Sequence, residues 1–228
     1  MSLALIRLSL VDSTQSFLAR HPELGSCAVL ADGQSAGRGR GENAWESAPR
    51  AGLWLSAALP RPEVPPGLLL QRAMGAVAEV LEPCGLQLGL KWPNDLVAWR
   101  GRQLVKLGGI LGEQKGDRVI LGLGLNLRAA PSIPGRAIPP ASLAELGAQP
   151  LPESLELARA ILEAWRDLTV IPVPAFRWPA QGDAIRWEEG EGICEGWRED
   201  GRLAVRTGAG ICALSAGDIA GLAHGASC

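Results

Sequence analysis

The 228 residues predict an α+β (mixed α/β) fold, a mixed sheet carrying helices, with a small β-barrel at the C-terminal end. Three observations lead there. Strand-like apolar runs alternate with helix-period segments between residues 5 and 168, the pattern of a sheet covered by helices. A proline-rich link, Pro172, Pro174 and Pro179, then interrupts both periods. Beyond it, residues 183–223 hold short strand-like runs divided at Glu189-Gly190, Asp200-Gly201 and 208–210, the spacing of a compact barrel rather than of further strands in the main sheet. The predicted division is residues 1–178 for the main domain and 179–228 for the appendage.

Taken from the N-terminus, residues 5–11 read as a strand. Asp12-Ser13-Thr14-Gln15 then opens a short helix with Asp12 or Ser13 as N-cap and His21-Pro22 as its stop. Residues 28–31 and 53–59 are apolar runs of strand length. The glycine-rich, charged stretch between them, 33–50, is too polar for a core and is expected to be a functional loop. Leu68, Leu69, Met74, Val77, Val80 and Leu81 mark one face of a helix over 66–81, stopped by Pro83 and Gly85. Strands over 86–90, 109–113 and 119–125 follow, joined through turns at Gly101-Arg102 and Gly116-Asp117. Helical spacing returns at 141–146 and 152–168, the latter with proline in its first turn and Glu153, Glu156, Arg159 and Glu163 outward.

At 47% apolar and 20% charged residues, the chain is able to bury a core. Twenty-two basic residues against 24 acidic ones leave a net charge of −2, so no general positive field invites DNA or RNA. No apolar run approaches the ~20 residues that span a bilayer. Arg7 interrupts the apolar start and no cleavage pattern follows, so neither a membrane nor export is expected and the predicted location is cytoplasmic. Five cysteines, Cys27, Cys84, Cys194, Cys212 and Cys228, are odd in number and hold no C-x-x-C pair, which predicts reduced, mostly buried thiols. With His21 and His224 the only histidines and no G-x-S-x-G, hydrolytic triads and structural zinc are not expected.

Four motifs carry chemistry. Gly37-Arg38-Gly39-Arg40-Gly41 pairs exposed backbone N–H groups with two forked cations, suited to phosphate or carboxylate; alone it reads equally as a solvated turn. Lys91-Trp92-Pro93-Asn94-Asp95 presents an amide and a carboxylate at a strand end, where they also serve simply as turn caps. Lys106-Leu107-Gly108-Gly109-Ile110-Leu111 sets a lysine before a glycine pair, either a ligand approach or a surface turn. Gly122-Leu123-Gly124-Leu125-Asn126 clears one strand face and ends on an amide, but lacks the third glycine of a dinucleotide fingerprint.

In this order, and together with Asp12-Ser13-Thr14, Gln34 to Arg40 and Trp45, these motifs closely resemble those of biotin protein ligases, over most of residues 1–170. The resemblance implies a class II synthetase-like biotin/lipoate ligase catalytic domain followed by a small SH3-like β-barrel. It also implies a two-step activity: biotin and ATP, with Mg²⁺, give biotinyl-5′-AMP and pyrophosphate, and biotin then passes to a lysine of a biotin carboxyl carrier protein. By the same resemblance Ser13, Thr14, Gln15, Gln34, Gly37, Arg38, Gly39, Arg40, Lys106 and Gly109 hold biotin. Arg38, Arg40, Trp45, Lys91, Asn94, Asp95, Lys106 and Asn126 hold ATP. Lys106, Arg40 and Asp95 are the catalytic residues, Asp95 also orienting Mg²⁺ held mainly through the phosphates.

Loops 33–50 and 98–105 are expected to close over the ligands and keep the acyl-adenylate from water. The motifs begin so close to residue 1 that the resemblance is to monofunctional members without a DNA-binding helix-turn-helix, forming a homodimer through an exposed sheet edge. Two other functions remain open at this point: a lipoate ligase or octanoyl transferase of the same superfamily, and a biotin sensor without catalysis.

Overall fold

A computed structural model describes residues 3–41, 43–170, 173 and 176–221. Pro172, Pro174, His224 and Cys228 lie outside them. The first half contains β1 (Ala4–Leu8), α1 (Thr14–Arg20), β2 (Cys27–Ala31), β3 (Gly52–Pro60) and α2 (Pro66–Val80). Next come β4 (Leu88–Lys91), β5 (Asp95–Arg100), β6 (Gln103–Lys115), β7 (Arg118–Asn126), α3 (Ser154–Ala164) and β8 (Arg177–Trp178). These strands form one mixed sheet in the order β1-β2-β3-β7-β6-β5-β4-β8, with β1 and β8 parallel to their neighbours and the other pairs antiparallel.

Strand alternation sorts the two faces. On β7, Leu121, Leu123 and Leu125 point into the main core with Leu53 and Leu55 of β3, and α2 and α3 cover them through Met74, Val77, Ile161 and Trp165. Trp165 also donates its indole N–H to Ala73 O at 2.9 Å, which ties the two helices together. Each such fully buried aliphatic side chain contributes roughly 1.5–3 kcal/mol. The opposite face is only partly covered. Leu18 of α1 packs on Cys27, Val29, Ala58 and Ile120 at one corner, and the glycines Gly122 and Gly124 of the same face are left for the site.

Two expectations are corrected. Residues 98–105 are no loop: they are the facing arms of β5 and β6, with the tight turn at Gly101-Arg102, and Ala98 and Val105 are core residues. Residues 141–146 do not form a helix. The Ser142 hydroxyl accepts from Glu145 N and the Glu145 carboxylate from Ser142 N, a capping box, but Gly147 at φ +80° ends the segment after a single turn.

The remaining strands, β9 (Ala184–Trp187), β10 (Gly190–Trp197), β11 (Leu203–Thr207), β12 (Gly210–Leu214) and β13 (Ala220–Gly221), form a separate antiparallel sheet in the order β12-β11-β10-β9-β13. Its core of Ile185, Cys194, Leu203, Val205 and Ile219 includes Trp92, a side chain from the main sheet. The Trp92 indole donates to Gly201 O at 3.0 Å, and Gln71 Nε2 of α2 donates to the same carbonyl at 2.7 Å. Gly201 must be glycine: at φ +84°, a Cβ there would lie 2.2 Å from Leu68 N.

Among the described residues no helix is long and apolar enough to cross a membrane. Cys27, Cys84, Cys194 and Cys212 are free thiols, the first three buried. Burial pushes the thiols of Cys27, Cys84 and Cys194 above their ordinary range.

Candidate active site

A cavity of about 530 Å³ opens on the uncovered face of the main sheet. Every residue selected from the sequence lines it except Gly37. Gly37 lies in the loop wall, where a Cβ would fall 2.3 Å from Trp45 O and 2.8 Å from Ser47 Oγ, so its role is to let the loop fold on itself. That loop, between β2 and β3, is an irregular hairpin bridged at Gln34–Ser47 and Arg38–Ala44.

The floor is strand backbone. A Cβ at Gly124 would lie 2.4 Å from the Trp45 indole, and one at Gly122 would lie 1.9 Å from Gln15 Oε1, so both side chains rest directly on glycine. Gly109 also lies beneath Trp45, with its Cβ position 3.5 Å from Trp45 Cζ3. A bulge in β6 makes this floor possible: Leu96 and Val97 of β5 pair with Gly108 and Lys106, so Leu107 is the extra residue. In a regular strand Lys106 and Gly109, three apart, would face opposite sides. The bulge turns both into the cavity.

One end of the cavity is neutral and polar. Thr14 donates from its backbone N–H to Gln34 Oε1 at 2.8 Å and from its hydroxyl at 3.1 Å; Gln34 Nε2 donates to Ser47 Oγ at 2.7 Å. Thr14 and Ser56 hydroxyls lie 2.8 Å apart. Ser13 uses its hydroxyl to cap α1 at Ser16 N. Gln15 Nε2 donates to Ile120 O at 3.3 Å, while its Oε1 is buried without a partner. Ser56 was not selected from sequence, yet a hydroxyl interrupting the apolar run of β3 is the signal that marks it.

The other end is charged. Lys106 Nζ lies 2.7 Å from Asp95 Oδ1 and 5.3 Å from the centre of the Trp45 ring. Lys91 Nζ is 4.0 Å from Asp95 Oδ2 and 3.1 Å from Asp218 Oδ1. Arg40 NH1 donates to Gly217 O at 3.0 Å and reaches Asn94 Oδ1 at 3.4 Å. Asn94 is fixed by donating to Ile110 O at 2.6 Å and receiving Ile110 N. Crowding at the cavity mouth opposes ionisation of the Asp218 carboxyl, but Lys91, Lys106 and Arg40 outweigh this and hold it below the ordinary carboxylate range.

Arg38 points instead to Glu113 at 3.2 Å. A hydrogen bond from Lys115, with Arg38 assisting, keeps the Glu113 carboxyl low. Asn126 donates to Ala141 O at 3.1 Å and leaves its Oδ1 buried and unpartnered, as is Trp45 Nε1. Three of the four buried orphan polar atoms among the described residues therefore border this cavity, which marks it as a site for a polar ligand. Sequence reasoning missed Arg136 and the neighbouring apolar wall, Pro131, Ile133 and Ile138, and missed Gly217 and Asp218 from the second sheet. No motif surrounds them.

No group of three or more His, Cys, Asp or Glu able to hold a metal occurs among the described residues. Asp95, with a lysine facing each oxygen, offers no protein cage for Mg²⁺; the donor set fits only an ion carried mainly by phosphate oxygens.

The model of the biotin/lipoate A/B protein ligase family matches residues 9–126. The chain is 32% identical over 221 aligned residues to the biotin–[acetyl-CoA-carboxylase] ligase of Mycobacterium tuberculosis, spanning 86% of this chain and 79% of that protein. It is 36% identical over 134 residues to the bifunctional ligase/repressor BirA of Bacillus subtilis, spanning 55% of this chain but 40% of that longer protein. Among solved structures, the biotin protein ligase from Aquifex aeolicus in complex with biotin and ATP superposes with a TM-score of 0.77 at 25% identity, covering 96% of this chain and 98% of that one. A glycine-floored cavity on a mixed sheet, a matching family model and a relative aligned along most of both chains agree: the chain belongs to the biotin/lipoate A/B protein ligase family.

Proposed function

We propose that the protein is an ATP-dependent biotin–protein ligase. The observation that carries this reading is the two-ended cavity, neutral and polar at Thr14, Gln15 and Ser56, cationic at Arg40, Lys91 and Lys106. Such a site suits an acid with a neutral hydrogen-bonding head and a carboxylate that meets a nucleotide phosphate. The unpartnered Gln15 Oε1, and Ser56 Oγ with a lone pair to spare beyond its bond with Thr14, are acceptors suited to N–H donors. A ureido ring supplies them, whereas the dithiolane of lipoate and the chain of octanoate do not, so the polar end favours biotin over the acids of the sister enzymes.

In the first step a carboxylate oxygen of biotin attacks the α-phosphorus of ATP, the bond to the β-phosphate bridging oxygen breaks, and pyrophosphate leaves. Lys106, placed between Asp95 and Trp45, stabilises the charge building on the α-phosphoryl group. Arg40 and Gly39 hold the carboxylate and phosphates, Arg38 joins them by exchanging Glu113 for the ligand, and Lys91, Asn94 and Asp95 lie at the phosphate end. Trp45 and Asn126 contact the nucleotide, and Gly109 makes room for biotin. Thr14, Gln15 and Gln34 form the biotin head site, with Ser13 fixing α1 beside it. Mg²⁺, if carried in on the phosphates of ATP, would supply neutralisation of their charge, and Asp95 would be the residue to orient it. In the second step the amine of an acceptor lysine attacks the acyl carbon and AMP leaves, which is why no serine or cysteine nucleophile is needed.

The acceptor is a biotin carboxyl carrier domain and the compartment is the cytoplasm. We also take residues 1–178 as the catalytic unit and 179–228 as the small C-terminal unit, and the free edge of β1 as the seam of a homodimer, which sedimentation velocity would refute by giving a monomer at all concentrations. The function is tested by pyrophosphate release from ATP and Mg²⁺ in the presence of biotin, lipoate or octanoate. Release with biotin alone is expected. Release only with lipoate or octanoate reassigns the protein to the sister enzymes, and biotin binding without release makes it a sensor.

A further inference from the structure

We propose that Asp218, brought in by the C-terminal sheet, is a tethered counter-ion that competes for the cations at the polyphosphate end of the cavity and weakens its hold on pyrophosphate. The inference rests on the ligase reading of the site and adds to it a positioning residue that tunes product release.

The geometry is that of a substitute anion. Lys91 has a side chain only 6% exposed and is shared between Asp95 and Asp218. Gly217 O and the Asp218 carboxylate, adjacent in sequence, together satisfy Arg40 and Lys91, presenting to the cations the oxygens that a phosphate would present. The two carboxylates differ in freedom. Asp95 is built into β5 with its side chain 12% exposed, whereas the Asp218 side chain is 80% exposed and sits in the short segment between β12 and β13. Asp218 is therefore the member of the cluster able to leave.

Its charge has a definite consequence. Phosphate oxygens entering this end displace Asp218 from Lys91, and when pyrophosphate departs Asp218 returns. The leaving product thus competes with a carboxylate on the same chain, while the single phosphate of the acyl-adenylate keeps Lys106 and the glycine loop. No bond is made or broken in this exchange.

The test is calorimetric titration of the full chain with inorganic pyrophosphate, comparing the unaltered protein with D218N and D218E. D218N is expected to bind about three- to tenfold more tightly, since one like charge within contact distance of the site is removed. Raising the salt concentration should narrow the difference. D218E keeps the charge and is expected to stay close to the unaltered protein, a result that loss of packing at this position would not give. Equal or weaker binding by D218N, or no pyrophosphate binding by any form, overturns the proposal. Failure of the ligase reading shows separately, as no pyrophosphate release from biotin and ATP, because the titration uses neither.

Discussion

The two ends of the cavity are built on different plans. At the neutral end Thr14, Gln34, Ser47 and Ser56 satisfy one another through short hydrogen bonds, anchored on α1, β3 and the adjoining loop. At the charged end Lys106, Asp95, Lys91 and Asp218 alternate in sign along a line of contacts that begins on β6 and finishes in the second sheet. The first end is preformed by one folding unit. The second has its core of Lys106, Asp95 and Lys91 on the main sheet and is completed by Gly217 and Asp218 from the segment between β12 and β13. Recognition of the acid head should therefore survive changes that abolish chemistry, and the reverse should also hold.

The strongest way to break this comparison is Lys106→Met. Single-turnover formation of the acyl-adenylate is expected to fall about 10²–10³-fold, with biotin affinity by calorimetry falling far less because Lys106 meets only the carboxylate of biotin; a matching loss of biotin affinity would show that the two ends are not separable. Thr14→Val probes the opposite end. It leaves Gln34 Oε1 without its hydroxyl donor and Ser56 without its partner, so biotin binding should weaken by roughly 1–3 kcal/mol. Adenylate formation at saturating biotin should stay near the unaltered rate, and a collapse there would refute the division.

The smallest effect belongs to Asp12→Asn, outside both ends. Asp12 accepts two hydrogen bonds from Arg20, and this holds its carboxyl at about 2, against an ordinary 3.8. A depressed value stabilises the fold above the unfolded one and is lost as pH falls through the folded one. The variant should therefore be less stable near neutrality, by less than about 1 kcal/mol because the pair is exposed. Denaturation midpoints of the two proteins should converge near pH 2; a constant difference across the range would point to packing instead.

Much of this was legible in the sequence, and unevenly. The motif residues could be named because lysine, asparagine, paired arginines and paired glycines stand out against apolar strands. Ser13 as the cap of α1 and the spans of α2, β3 and β7 follow from local patterns of the kind that sequence records well. What escaped is non-local or a matter of register. The bulge at Leu107 has no composition of its own, so nothing in Lys106 to Gly109 shows that both face the cavity. Residues 98–105 read as a loop because Arg100, Gly101 and Arg102 are charged or turn-forming, although Ala98 and Val105 on either side are buried in the hairpin arms. Gly217 and Asp218 escaped because their partners are more than a hundred residues away.

Trp92 extends the lesson to any attempt to exchange parts between relatives. Within Lys91 to Asp95 it faces away from its neighbours and completes the core of the small sheet, fully buried there and bonded to Gly201 O. A graft of a foreign C-terminal segment has to bring its own socket for that indole and a carbonyl to meet its N–H. A shortened chain without the small sheet would leave the ring bare beside Lys91, so lost turnover after truncation would report a disturbed strand end rather than a missing catalytic group.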